Sequence, residues 1–371
     1  MIKLEEVRFD CKYFRGHIPC KPNKEKNAIC TCEDYTPITK RILIIKLGAL
    51  GDVIRTTPLV TRYKKIYPGC HITWITLSPN ILPKKHIDSI YAYDFTAVNI
   101  ILNSNYDIAI NLDKEPEACM LLRNVNAGQK FGFSWFDDHI VPVDEKANHK
   151  LLTGLFDQLS IANTKSYPEE IFEICGMQFA HDEYLLDVVP EFDLRWKGIL
   201  REKANGKTII GLNTGCGPRW ATRLWPATYW VSLIDQLKSL GYFPVVLGGP
   251  AEEELNLFYQ EQTGAYYPGT FSLQEFIAIT NNCDVIVSAV SMMMHLAVGL
   301  KKNLVLFNNI FNRYEFDLYG RGIIVEPHSG CDCFYGNTCK RDKPCMEDLS
   351  VEKVLNAVKD LAERNSQIGV R

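Results

Sequence analysis

From residue 41 to residue 307, short apolar runs alternate with amphipathic stretches of helix length. This is the pattern of a parallel sheet covered by helices. In the first half, Ile42–Lys46, His71–Leu77, Ile87–Tyr93 and Asp107–Leu112 read as strands, and Leu151–Leu159 and Glu169–Cys175 as helices. Val188-Val189-Pro190 reads as a link, after which the same grammar restarts. Lys207–Asn213, Phe243–Leu247, Asp284–Ser288 and Asn303–Phe307 are strands, and Pro226 suits the first turn of a helix over Ala227–Leu240. Val351, Val354, Leu355, Val358 and Leu361 stand at helical spacing and predict a terminal amphipathic helix. The expected fold is α/β, with two Rossmann-like doubly wound domains at 41–190 and 191–345 and a terminal helical segment at 346–371. Open α/β sheets bind ligands beyond the carboxyl ends of their strands. Loops 47–52, 213–223 and 288–295 are therefore expected to face a cleft between the domains.

Residues 1–40 break the pattern. They carry Cys11, Cys20, Cys30 and Cys32 among basic and turn-forming residues, with little apolar periodicity. Such a piece cannot hold itself together by burial, and a thiolate-bound ion would supply the missing cohesion. The intervals match no standard zinc-finger pair, so a bound ion and free thiols both remain open. A second group, Cys331, Cys333, Cys339 and Cys345, has the make-up of a closed four-thiolate site for structural zinc or iron. Eight of the thirteen cysteines fall into these two groups, and in a reducing compartment such grouping favours metal over disulfides.

Charge narrows the partners. The net charge of −3 argues against a broad basic surface for nucleic acid. The first residues hold two acids and no signal-peptide core, and the apolar stretch Val285–Leu300 is too short to span a bilayer, so a cytoplasmic protein is expected. Arg62, Lys64, Lys65, Lys84 and Lys85 offer cations to an anionic acceptor or to the inner-membrane surface, though a solvated face explains them equally.

Candidate chemistry begins at Leu47-Gly48-Ala49-Leu50-Gly51-Asp52, a two-glycine turn opening a helix. Gly48 and Gly51 allow positive φ or close approach of a ligand, and Asp52 is either a helix cap or a general base. Thr214, Gly215, Arg219 and Arg223 lie where a loop enters a helix, a place suited to a diphosphate. Ser291 and His295 stand one turn apart near another helix start; a histidine in so apolar a helix also fits the core. Glu315, near Tyr319 and Arg321, can accept hydrogen bonds from sugar hydroxyls or pair with Arg313 or Arg321.

Taken in order, four motifs resemble glycosyltransferase family 9, the heptosyltransferase-like enzymes of GT-B fold. They are Lys46–Asp52 with Thr56-Thr57-Pro58, Asn213-Thr214-Gly215 with Arg223-Leu224-Trp225-Pro226, Leu247-Gly248-Gly249-Pro250, and Ser291 with His295-Leu296-Ala297. The resemblance spans about residues 41–363. It implies an inverting transferase whose amino-terminal domain holds a glycan or protein acceptor and whose carboxyl-terminal domain holds a nucleotide-diphosphate sugar, ADP-heptose-like, without catalytic metal. Asp52 is then the base, and Thr214, Gly215, Arg219, Arg223, Ser291, His295 and Glu315 hold the donor. Two places depart from the family: Val290 stands at a usually acidic position and Arg223 at a usual lysine. The carboxyl-terminal cysteines resemble those of iron-binding members that glycosylate autotransporters. Two other readings are a metal-binding assembly or scaffold protein on a degenerate transferase fold, and a sugar-nucleotide epimerase. A nicotinamide oxidoreductase is weaker, because the opening turn lacks a three-glycine fingerprint.

Overall fold

The computed structural model describes residues 3–368; the first two residues of the cysteine-bearing segment and the last three of the terminal one lie outside it. Two compact units are present, and they do not follow a single cut of the chain. The first takes the chain up to Ala49 with Thr56–Asn148 and Ile171–Gln178; the second takes Leu50–Arg55, His149–Glu170 and the chain from Phe179 onward.

The first unit is built on a six-stranded sheet of order β3-β2-β1-β4-β5-β6. Its strands are β1 (Arg41–Ile45), β2 (His71–Thr76), β3 (Ser89–Ala92), β4 (Asn105–Asn111), β5 (Asn126–Phe136) and β6 (His139–Pro142). The first five run parallel and β6 closes the edge antiparallel. Ile42 to Ile45 have no solvent-exposed surface, as an apolar strand covered on both faces requires. The β5–β6 hairpin was not among the expected strands. Asn, Gly, Gln and Lys punctuate its apolar residues, so neither a continuous run nor a clean alternation marks it.

The second unit holds a five-stranded parallel sheet of order β11-β10-β9-β7-β8. These strands are β7 (Ile209–Asn213), β8 (Phe243–Leu247), β9 (Val285–Ala289), β10 (Asn303–Phe307) and β11 (Gly322–Val325). The helices Ala227–Ser239 and Val351–Ile368 appear where the periodicity placed them. Val354, Val358 and Leu361 of the terminal helix are fully buried in a cluster with Trp230, Leu233 and Leu237. The expected link at 188–190 runs into a 15-residue helix, Pro190–Ala204, with Val189 as its extended N-cap and proline at its first turn. Among the described residues no helix is long and apolar enough to cross a membrane.

Candidate active site

In the first unit the strand order reverses at β1, which lies between β2 and β4, and the loops leaving β1 and β4 meet there. A buried ion pair fills the place. Lys46 Nζ donates to Asp113 Oδ1, and the backbone N–H of Leu47 donates to Asp113 Oδ2. Asn111 braces the same loop, donating to the carbonyls of Asp113 and Phe133 at 2.9 and 2.8 Å. Burial pushes the Asp113 carboxyl above its ordinary range despite Lys46.

The chain then enters the short helix Leu50–Thr56, and Leu50–Arg55 belong with the second unit. Asp52 lies in the first turn of this helix and is about one-third exposed. Arg55, one turn on, donates to Asp52 Oδ1 at 2.7 Å and to Glu315 Oε1 at 2.6 Å. Its guanidinium lies 3.4 Å above the centre of the Tyr167 ring. Tyr335 donates its hydroxyl to the other Glu315 oxygen at 2.8 Å. Burial alone would raise the Glu315 pKa, but the charges of Arg55 and Lys150 outweigh it and hold the carboxyl below its ordinary range. Glu315 is thus paired with neither Arg313, which meets Glu326, nor Arg321, which meets Glu183. Tyr319 faces away from it as well, its hydroxyl bonded to the Asp182 carbonyl at 2.8 Å.

Of the two freedoms expected of Gly48 and Gly51, positive φ is used by neither. Gly51 has no side chain because the His295 ring lies against it: a Cβ there would strike Cδ2 of that ring. Nothing crowds Gly48. His295 is buried in the helix Met292–Gly299, with Nδ1 lacking a hydrogen-bond partner. Burial, then the charge of Arg55, pushes its pKa from 6.5 down to about 3, so it is neutral at physiological pH. Ser291 caps that helix, accepting from the Met293 N–H at 3.3 Å, and lies 3.2 Å from the Ser288 hydroxyl.

At the carboxyl end of β7, Asn213 donates to the Gly215 carbonyl at 2.8 Å and to Ser288 at 3.2 Å. The buried Thr214 hydroxyl donates to Asn256 at 2.7 Å. Gly215 is required because a Cβ would collide with the Glu252 carboxylate. Arg223 is buried and donates to the carbonyls of Val290 and Cys216, which ties the loop after β7 to the loop after β9. Arg219 is exposed on the preceding turn. The candidate residues of the second half therefore gather around the ends of β7 and β9, and Asp52 joins Glu315 through Arg55.

Sequence reasoning missed Arg55, Tyr167 and Tyr335. Arg55 stands three residues after Asp52 and could have been suspected as its partner on one helix face. Tyr167 and Tyr335 come from segments distant in sequence, and no local signal marks them. Tyr335 also explains part of the carboxyl-terminal cysteine loop. Its backbone N–H is bonded to the Ile310 carbonyl at 2.9 Å, and Thr222 reaches the carbonyl of Gly336 at 2.9 Å. Within this loop the Cys331–Cys345 hydrogen bond pulls the Cys345 thiol down to about 6. Among the described residues, however, no three His, Cys, Asp or Glu side chains are arranged to hold a metal ion. The zinc or iron expected at the two cysteine groups thus has no preformed ligand set among the described residues.

The sequence model of Glycosyltransferase family 9 (heptosyltransferase) matches residues 98–309. Lipopolysaccharide heptosyltransferase 3 of Escherichia coli is 21% identical over 295 residues, covering 69% of this chain and 79% of that protein. Among solved structures, a glycosyl transferase family 9 protein from Veillonella parvula superposes with a TM-score of 0.70 at 20% identity, covering 88% of this chain and 98% of that one. The E. coli ADP-heptose lipopolysaccharide heptosyltransferase II gives 0.63 at 16% identity, covering 88% and 99%. The fold is therefore the two-sheet GT-B architecture that the four motifs led us to expect.

Proposed function

The chain belongs to glycosyltransferase family 9, the heptosyltransferases, and on that premise we propose that it inverts an anomeric centre, with Asp52 as general base. The sugar, heptose or a close relative, moves from a nucleotide-diphosphate donor to a cell-envelope glycan of lipopolysaccharide-core type. The observation that carries this reading is the Asp52–Arg55–Glu315 chain. Asp52 is accessible enough to meet a substrate, and its carboxylate is held in place by an arginine anchored at its other end.

Asp52 takes the proton of the acceptor hydroxyl while that oxygen attacks the anomeric carbon from one face. The bond to the diphosphate oxygen breaks on the other face, and the electron pair leaves with the nucleotide. Arg55 holds the Asp52 carboxylate in one orientation throughout. Thr214, Gly215, Ser291 and His295 line the ends of β7 and β9 where the leaving diphosphate binds, and backbone N–H groups at the start of the Met292–Gly299 helix favour its charge. Arg223 contributes by fixing two loops around that place, and Arg219 supplies an exposed cation beside it. Glu315 acts through Arg55 and leaves the sugar hydroxyls to other groups. An acceptor of this kind places the reaction at the cytoplasmic face of the inner membrane.

General-base assistance accounts for about 100- to 10,000-fold of rate. Asp52→Asn should therefore lose turnover by that factor while retaining the fold and affinity for ADP-heptose, measured by product formation and titration calorimetry. Wild-type turnover in the purified variant rejects Asp52 as the base.

A further inference from the structure

Arg55 can steady Asp52 only if its own far end stays in place. A glutamate carboxylate turns about its last bond, so a single partner fixes one oxygen and leaves the plane undefined. Glu315 is held at both oxygens. Arg55 donates to Oε1 at 2.6 Å, and the Tyr335 hydroxyl donates to Oε2 at 2.8 Å. The carboxylate plane is then defined, and with it the point from which the guanidinium, lying on the Tyr167 ring, reaches Asp52 Oδ1.

The backbone that presents Tyr335 is unusual. Its φ is +47°, in the left-handed region that a bulky side chain seldom adopts. Such a conformation persists only where its surroundings over-determine it. Here the Tyr335 N–H donates to the Ile310 carbonyl at 2.9 Å, and the Gly336 N–H donates to the Cys333 carbonyl at 2.7 Å. The Gly336 carbonyl in turn accepts from the Thr222 hydroxyl at 2.9 Å. The Phe311 ring meets the Tyr335 ring edge-on, with centroids 5.0 Å apart. Asn309 donates to the Thr222 carbonyl at 2.8 Å and to the Cys345 sulfur at 3.5 Å, which draws the far end of the same loop against this frame. Arg341 closes the loop on itself, bonded to Asp332 at 2.6 Å and to Ser329 at 2.8 Å. Tyr335 nevertheless adds little to a core, since it is 40% exposed. What the unfavourable backbone delivers is the hydroxyl.

We propose that the loop 329–345 is a positioning device for the base and that Tyr335 is its working residue. By fixing the Glu315 carboxylate Tyr335 fixes Arg55, and through Arg55 it aims Asp52 at the acceptor hydroxyl. Aim matters because a small misplacement of a reacting group costs a large factor in rate. The inference rests on Asp52 being the base, and it gives the carboxyl-terminal cysteine segment a task in the transfer reaction. Tyr335 acts through two other side chains and is a positioning residue.

The test measures steady-state transfer from ADP-heptose to a lipopolysaccharide-core acceptor by the full chain. Tyr335→Phe keeps the ring and its packing and removes only the hydroxyl. It should lower kcat by about 10-fold, the lower end of what a hydrogen bond to a charged group is worth. KM for the donor and the urea midpoint should stay as in wild type. Tyr335→Phe combined with Glu315→Gln should be no slower than Glu315→Gln alone, because the tyrosine acts through that carboxylate. The same comparison in the Asp52→Asn background should also give no further loss, which keeps the test decisive if Glu315→Gln fails to fold. A merely structural loop would instead lower the urea midpoint and give losses that multiply. Wild-type kcat in Tyr335→Phe, or multiplying losses, overturns the proposal and leaves Asp52 as the base so long as Asp52→Asn loses turnover. Wild-type turnover in Asp52→Asn, or no transfer by the wild-type chain, overturns both readings.

Discussion

Two carboxylate–cation pairs, whose cations Lys46 and Arg55 stand nine residues apart in the chain, do opposite work. Lys46 with Asp113 is sealed inside the first unit, both side chains at most 5% exposed. Arg55 with Asp52 belongs to the second, and its carboxylate is 32% exposed. In the first pair the aspartate has spent its oxygens on a lysine and on the Leu47 N–H, so it can only hold the turn in shape. In the second the arginine grips Asp52 from one side and is itself anchored by Glu315. Burial and a second anchor, more than residue type, thus separate a structural carboxylate from a reactive one.

Four substitutions sharpen this contrast, in order of expected effect. Asp52→Asn should remove about 100- to 10,000-fold of turnover, equal to about 3 to 5 kcal/mol of barrier, and hardly shift the urea midpoint. Asp113→Ala should do the reverse. It strands Lys46 in a dry interior and should lower unfolding free energy by about 3 to 5 kcal/mol, read by urea denaturation. A variant of Asp113 that folds as well as wild type but fails to turn over would erase the distinction. Gly51→Ala should cost about 1 to 3 kcal/mol, because the added methyl must displace the His295 ring that faces Asp52's helix; the same melts measure it.

The fourth is a pH effect. His295 stays neutral in the native state down to about 3, whereas the unfolded chain protonates it near 6.5. The unfolded state therefore binds the extra proton, and stability falls as pH drops through that window. At pH 5 the loss is about 2 kcal/mol relative to neutral pH. Glu315 does not oppose this above its unfolded value near 4.5, since its lowered pKa yields stability that is lost only below that. Urea midpoints at pH 7.5 and pH 5 should thus differ less for His295→Asn than for wild type, and an equal difference would show that the ring titrates freely.

Most of the strands, the two-domain α/β class and the terminal helix were legible as hydrophobic period. β5 and β6 were not, because Gly128, Gln129 and Lys130 interrupt the apolar positions and the hairpin is held by its neighbours. Of the site, Asp52, Ser291 and His295 stood out through motif order. Arg223 stood out as a phosphate ligand, but its two hydrogen bonds to carbonyls show how it also fastens loops.

By itself the sequence determined which segments are buried strands, where the turns that bear chemistry fall, and that residues 1–40 cannot cohere by apolar packing. These are local properties, set by the alternation of side chains and by the backbone freedom of glycine and proline. Only the tertiary structure decided that Arg55 joins Asp52 to Glu315, which lies 260 residues beyond Arg55, and that Gly51 is bare for the sake of a histidine ring. Such facts depend on which distant surfaces exclude water together, and no local pattern in the chain encodes that.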